Sequence, residues 1–267
     1  MANDPSNSDL PEMPDPGGRG ASLAGDEPPE PPHPSRSTRL PPVAPPKGAD
    51  PGDLNARRAL AGDLLQIGAV SLSPDDPFTW SSGMASPIYC DNRMTLGFPR
   101  VRSAICDGFH HIATDKIGDV DVIAGTATAG IPHAAWLADR LSLPMAYVRG
   151  SAKSHGQKNR IEGVLNAGDR VLLVEDLIST GGSALSAAEA LEDAGATVSA
   201  VCAIFTYELD VAAQAFADAD VHVHTLTDFS TLLDVARREH DLGESDIASL
   251  EEWRRDPQAW STDHGGA

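Results

Sequence analysis

The stretch VLLVEDLISTGGSA, residues 171–184, joins an apolar run to two adjacent carboxylates and then to a loop of small residues. An aliphatic run without polar alternation predicts a strand that is buried on both faces, as in a parallel sheet. Glu175 and Asp176 follow that run directly, and neighbouring strand residues point to opposite sides. One carboxylate can therefore meet a ligand while the other is held by surrounding groups.

The loop that follows the carboxylates, residues 179–183, reads STGGS and opens a predicted helix. Small residues let a backbone approach an anion, and free N–H groups at a helix start favour phosphate. The G-K-[ST] of a Walker A loop is absent. A ribose 5-phosphate carries neighbouring hydroxyls and a phosphate, so it would satisfy both the carboxylates and the loop. An acidic strand end before an ordinary capped helix is the simpler alternative, but the contiguous order favours the ligand.

Strands and helices alternate around this stretch. Apolar runs typical of buried strands lie at 121–125, 143–148, 170–176, 197–205 and 221–226. Helical patterns separate most of them, which predicts an α/β fold with a doubly wound parallel sheet flanked by helices. In such sheets ligands bind at the carboxyl ends of the strands, where the strand order reverses. Three polar or glycine-rich loops follow predicted strands, at 125–130, 149–163 and 175–183.

The segment before this alternation has its own local signals. Asp53 is placed to cap a first helix, and residues 78–93 indicate two short extended runs around Ser82 and Gly83. Pro99 opens a second helix. One face of that helix carries apolar residues at helical spacing, namely Val101, Ile105, Phe109 and Ile112.

Composition divides the 267-residue chain into two parts. Fourteen of the 21 prolines lie before position 52, which predicts a disordered, proline-rich acidic tail over residues 1–52 and one domain over residues 53–267. The net charge of −19 argues against binding to nucleic acid or to anionic membranes. The three cysteines form no C-x-x-C pair, which fits a reducing cytoplasm. We therefore expect a cytoplasmic protein.

Positive charge is scarce, and this makes its location informative. Only four lysines occur, and two of them lie in the stretch RGSAKSHGQKNR, residues 149–160, beside two arginines and a histidine. Within an acidic protein, this loop predicts a binding surface for an anionic ligand. A solvated basic loop is the alternative.

The strand, acids and STGGS loop together resemble the phosphoribosyl pyrophosphate (PRPP) signature of the type I phosphoribosyltransferases. Residues 78–93, 123–149, 174–184 and 204–209 resemble more narrowly the orotate phosphoribosyltransferases of the Gram-positive bacterial type. The resemblance covers roughly residues 53–260. It implies a sheet with a small N-terminal hood element, and a homodimer with shared active sites. It also implies transfer of ribose 5-phosphate from PRPP to orotate, which gives orotidine 5′-monophosphate and pyrophosphate.

The resemblance also implies roles for individual residues. Catalytic roles fall on Lys153, His155 and Asp176. PRPP-binding roles fall on Thr126, Ala127, Arg149, Lys153, His155, Glu175, Asp176, Leu177, Ile178, Ser179, Thr180, Gly181, Gly182 and Ser183. Orotate would contact Ser179 and Arg93. Mg²⁺ is expected to arrive with PRPP, near Glu175 or Asp176 and without a protein-only metal site.

The chain departs from the family pattern at several places. Gly150 and Ser81 stand where many members carry lysine, and TYELD, residues 206–210, lacks an arginine that some members use for orotate. Two alternatives stay open. A phosphoribosyltransferase for a purine or uracil should lack the segment 78–93. A non-catalytic PRPP-binding regulator should lack the lysine and histidine of loop 149–163.

Lys153→Ala tests the role that the resemblance gives to this loop. We expect turnover to fall by a much larger factor than the stability of the fold, because the loop is predicted to be exposed and its cation to neutralise the departing pyrophosphate. Steady-state rates and a thermal melt measure the two effects. A large drop in Tm would instead assign Lys153 a structural role.

Overall fold

The computed structural model describes residues 53–80, 82–150, 160–239 and 242–266. Its helices are α1 Leu54–Gln66, α2 Pro99–His111, α3 Gly130–Leu141, α4 Gly182–Asp193, α5 Asp210–Asp218, α6 Phe229–Glu239, α7 Glu244–Arg255 and α8 Pro257–Asp263. Its strands are β1 Val70–Leu72, β2 Phe78–Thr79, β3 Ala85–Ser86, β4 Ile88–Cys90, β5 Val122–Thr126, β6 Met145–Val148, β7 Ile161–Gly163, β8 Arg170–Ile178, β9 Thr197–Thr206 and β10 Val223–Asp228. The tail predicted for residues 1–52 lies outside the described residues.

The central sheet confirms the predicted α/β class and corrects it at one edge. Its strand order is β10-β9-β8-β5-β6-β7, and the first five of these strands run parallel. The last strand, β7, pairs antiparallel with β6 through Val148 and Ile161. Residues 161–163 were predicted as part of a loop, because a three-residue edge strand has no periodicity of its own. The order reverses between β5 and β8, and in doubly wound sheets ligands bind at such a reversal.

Strand β8 extends further than its sequence pattern predicts. Its pairing with β5 ends at Gly125 and Val174, whereas its pairing with β9 continues to Ile178 and Thr206. The two carboxylates therefore lie inside the strand and not at its end, because β9 supplies partners for the polar positions as well. Beyond Val174, β8 has a strand neighbour on one side only.

The core lies on both faces of this sheet. Leu172 and Val174 of β8 pack with α1, α2, α3 and α6, whereas Val171 and Leu173 pack with α4 and α5. The apolar face predicted for α2 is confirmed, since Phe109 and its three partners at helical spacing are buried. None of the described helices is both long and apolar enough to cross a membrane.

The predicted hairpin around Gly83 is confirmed, since β2 pairs antiparallel with β3. Aromatic rings join it to the C-terminal helices: Trp80 stacks on Tyr207 at 5.8 Å between ring centroids, and Tyr207 meets Trp253 at 5.3 Å. Ser261 Oγ of α8 accepts a hydrogen bond from the backbone N–H of Ala85 at 2.9 Å. Helices α7 and α8 were not predicted, and they hold this N-terminal segment in place. The hood element itself stays a prediction.

Phe109→Ala tests the packing of α2 against the sheet. Phe109 is fully buried, so we expect the free energy of unfolding to fall by about 3–5 kcal/mol. Leu54→Ala is the control, because Leu54 is 49% exposed and should change stability by about 0.5 kcal/mol at most. Urea unfolding followed by tryptophan fluorescence measures both. Similar losses for the two variants would contradict the described packing.

Candidate active site

The two carboxylates of β8 are held differently. Glu175 is 4% exposed. Its Oε1 accepts a hydrogen bond from the backbone N–H of Asp176 at 3.0 Å, and its Oε2 accepts one from Ser183 Oγ at 3.2 Å. By strand alternation it shares the α4 face with Leu173, whereas Asp176 is on the face of Val174. Asp176 is less buried than Glu175.

The electrostatics of the pair favour an added positive charge. Burial and, to a smaller extent, the neighbouring Asp176 raise the pKa of Glu175 to about 8. Burial also raises the pKa of Asp176. Over the described ranges, neither carboxylate forms an ion pair with an arginine, lysine or histidine. Two carboxylates without an ion pair among the described residues suit a ligand with hydroxyl donors and a bound cation.

The loop after β8 presents backbone donors at the start of α4. Its N-cap residue Gly181 has φ 84°, and a Cβ there would lie 2.8 Å from the ring of Phe216, so glycine is required. No side chain caps the helix. STGGS therefore supplies the N-cap residue, Gly181, but no side-chain cap. Gly182 and Ser183 are exposed, and uncapped first-turn N–H groups form a site suited to phosphate.

The loop after β5 packs tightly against the acidic strand. A Cβ at Gly130 would lie 2.4 Å from the carbonyl oxygen of Val174, and one at Gly125 would lie 2.9 Å from Cα of Ile131. The peptide between Ala127 and Thr128 is cis. Only glycine permits this approach, so residues 126–130 lie beside the start of the carboxylate pair. The two predicted ligand loops thus flank the point where the strand order reverses.

The base of the basic loop is anchored to α4. The backbone N–H of Arg149 donates to the carbonyl of Arg160 at 2.8 Å, and Arg160 Nε donates back to the carbonyl of Arg149 at 2.9 Å. Arg160 Nη1 also donates to Ser186 Oγ at 2.9 Å. Arg149 itself lies 3.7 Å from a carboxylate oxygen of Glu162. The roles predicted for Lys153 and His155, and the departure at Ser81, concern residues outside the described ranges.

The residues near Asp176 include some that the sequence did not single out. Arg93, predicted for orotate, is 64% exposed and forms a two-point ion pair with Asp91, at 2.6 and 2.8 Å. Burial raises the pKa of Tyr207, and its surroundings include Cys90 and Asp176. Asn92 donates from Nδ2 to the backbone oxygen of Asp176 at 2.8 Å. Only two features of the sequence could have pointed to these residues: Tyr207 directly follows β9, and Asn92 precedes Arg93.

Comparisons with known proteins agree with this architecture. A family model described as "Phosphoribosyl transferase domain" matches residues 102–227. A protein of Bacillus cytotoxicus named orotate phosphoribosyltransferase is 52% identical over 208 residues, which is 77% of this chain and 99% of that protein. The crystal structure of orotate phosphoribosyltransferase from Aeropyrum pernix is 32% identical, with a TM-score of 0.58, and the match covers 66% of this chain and 96% of that one.

A second solved structure is similar at lower identity. It is the orotate phosphoribosyltransferase of Mycobacterium tuberculosis in complex with PRPP, which is 26% identical with a TM-score of 0.53. The match covers 66% of this chain and 98% of that chain. The high identity to the Bacillus protein extends over nearly its whole length. This chain therefore belongs to the orotate phosphoribosyltransferase family.

Proposed function

We propose that this protein transfers the 5-phosphoribosyl group of PRPP to orotate, which gives orotidine 5′-monophosphate and pyrophosphate in pyrimidine synthesis. One observation carries the proposal: a buried carboxylate pair without an ion-pair partner over the described ranges lies directly before an uncapped helix start. This arrangement can bind the hydroxyls and the phosphate of one ribose 5-phosphate. The names of the relatives supply the acceptor, orotate.

In this proposal the acidic pair and the loop after it hold the ribose. Glu175 and Asp176 accept hydrogen bonds from the 2′- and 3′-hydroxyls, and residues 177–183 surround the 5-phosphate. The N–H groups at the start of α4 donate to the phosphate, since no side chain occupies them. As C1′ gains positive charge in an oxocarbenium-like transition state, the carboxylate of Asp176 stabilises it.

In this proposal the loops at 126–130 and 149–163 bind the pyrophosphate end of PRPP. Thr126 and Ala127 lie in the loop that Gly130 presses against β8, and Arg149 stands at the base of the basic loop. We propose that Arg149, Lys153 and His155 neutralise the departing pyrophosphate. We further propose a homodimer with shared active sites, in which some of these cations come from the partner. Gly150 and Ser81 leave fewer lysines for this task than many family members have.

Mg²⁺ fits the carboxylate pair. No group of three or more metal-ligating side chains occurs in the described part of the chain, so a cation at Glu175 and Asp176 would take most of its oxygen ligands from PRPP. When bound, Mg²⁺ supplies the positive charge that the pair lacks and helps to orient pyrophosphate against the ribose. The two carboxylates themselves hold the ribose hydroxyls.

The orotate end is proposed from residues beside Asp176. Ser179 begins the loop after β8, and Arg93 is an exposed cation whose charge acts on Asp176. Its ion pair with Asp91 has to loosen or be shared if Arg93 meets the orotate carboxylate.

We also propose that residues 53–267 form the catalytic domain, that residues 1–52 form a tail, and that the protein is cytoplasmic.

A direct assay tests the function. Protein, PRPP, Mg²⁺ and orotate are mixed, and loss of orotate absorbance is followed, with uracil and hypoxanthine as alternative acceptors. We expect consumption of orotate only, because the acceptor is inferred from relatives that are named for it. If orotate is not consumed, or a purine is used equally well, the proposed function is wrong.

The raised pKa of Glu175 predicts proton release on binding. At neutral pH the buried carboxyl is largely protonated in the free protein, whereas ribose hydroxyls and Mg²⁺ favour its carboxylate form. The affinity for PRPP with Mg²⁺ should therefore increase as pH rises from about 6 to about 8. The same raised pKa affects stability. The contribution of Glu175 to the free energy of unfolding is fully present at a pH below its ordinary pKa, and it is lost as the pH rises through its pKa in the folded protein.

Calorimetric titration in two buffers with different ionisation heats measures the protons released. Glu175→Gln is the control, since it removes this titration and leaves the protons of PRPP itself unchanged. Equal proton release by the wild-type protein and by Glu175→Gln would contradict the assignment to Glu175.

A further inference from the structure

A hydrogen-bond network of buried polar groups reaches the peptide of Asp176 from outside the sheet. Asn92, in the 3₁₀ segment Asn92–Gly97, is 1% exposed, and its Nδ2 donates to the carbonyl oxygen of Asp176 at 2.8 Å. Its Oδ1 is buried without a hydrogen-bond partner in the described part of the chain. The side chain thus makes one directed contact, and that contact is with the acidic strand.

Thr95 and His133, the next two residues of this network, hold Asn92 in place. Thr95 Oγ1 donates to the carbonyl oxygen of Asn92 at 2.6 Å and lies 3.4 Å from His133 Nε2. Because the single hydroxyl proton is used on Asn92, Oγ1 can only accept from His133, so the imidazole proton is on Nε2. Burial lowers the pKa of His133 to about 4, and the ring is neutral near pH 7.

The position of this hydrogen-bond network lets it orient the backbone of the site. Strand β8 loses its neighbour β5 after Val174, so a contact from another part of the fold has to orient the backbone at Asp176. A buried carbonyl that loses its donor stays desolvated and unpaired, which is unfavourable. His133 lies on α3, the helix that follows loop 126–130. The network therefore connects the acidic pair to α3, the helix that follows loop 126–130.

We infer that Asn92 is a positioning residue for Asp176: its amide holds the Asp176 peptide so that the carboxylate meets the ribose hydroxyls of PRPP. The inference rests on the proposed function for its substrate, but its geometry stands on the described contacts alone. Asn92 acts through Asp176 and touches no reacting atom. Displacements of about 1 Å in such a site reduce rates by as much as 10²-fold.

Asn92→Leu tests this role, since leucine is similar in volume and cannot donate. We expect the KM for PRPP to rise roughly tenfold, the equivalent of one lost hydrogen bond to a buried acceptor. The KM for orotate at saturating PRPP should stay unchanged, and so should the calorimetric binding stoichiometry for PRPP. A merely structural defect would lower the active fraction and the stoichiometry while it left the KM for PRPP unaltered.

Thr227→Val is the matched control. Thr227 is fully buried, and its Oγ1 donates to the backbone oxygen of Arg57 at 2.9 Å, between β10 and α1. This variant also loses one buried side-chain donor to a distant carbonyl, and we expect a comparable loss of stability with a wild-type KM for PRPP. Equal KM values for PRPP in wild-type, Asn92→Leu and Thr227→Val proteins would overturn the inference.

Two further measurements keep the test decisive. If circular dichroism finds Asn92→Leu unfolded, Thr95→Val replaces it; it removes the next donor and should raise the KM for PRPP by a smaller factor, and an unchanged KM would overturn the inference. If the wild-type protein consumes no orotate, the proposed function is overturned instead. Calorimetric affinity for PRPP without orotate then decides for or against Asn92.

Discussion

The burial of two adjacent carboxylates without an ion pair to any described cation is the constraint on which this site depends. Burial raises the pKa of both carboxyl groups, and the neighbouring Asp176 adds to the rise at Glu175. The protein offsets part of the cost of ionisation with N–H and O–H donors, from the Asp176 backbone and Ser183. The remainder is left for a ligand, which is why an enzyme can hold this pair where a purely structural strand would not.

Differences in strand length create the place for this pair. β8 is paired to Ile178 on the side of β9 but only to Val174 on the side of β5. The chain of β5 turns into its helix there, and Gly130 allows the turn to press against β8. The loops that follow β5 and β8 therefore lie beside the carboxylate pair. Such an arrangement can hold a ribose 5-phosphate with few side-chain groups.

The N-terminal segment supports the site from the face of the sheet that carries Asp176. The hairpin around Gly83 is joined through Trp80 to Tyr207 and Trp253, so elements from both ends of the domain meet beside the acidic strand. Asn92 extends this support to the backbone of Asp176. Packing and hydrogen bonding thus act on the same strand end.

The sequence by itself determined the alternation of strands and helices, the buried face of α2, the hairpin, and the order of acids and STGGS loop, because periodicity, turn residues and caps are local properties. It could not reveal that β8 continues past Glu175, that β7 pairs at the edge, or that α4 lacks a side-chain cap. Tertiary structure decided these points, and also the contact of Asn92 with Asp176, 84 residues apart. Such contacts depend on which distant segments meet, and no local pattern encodes that.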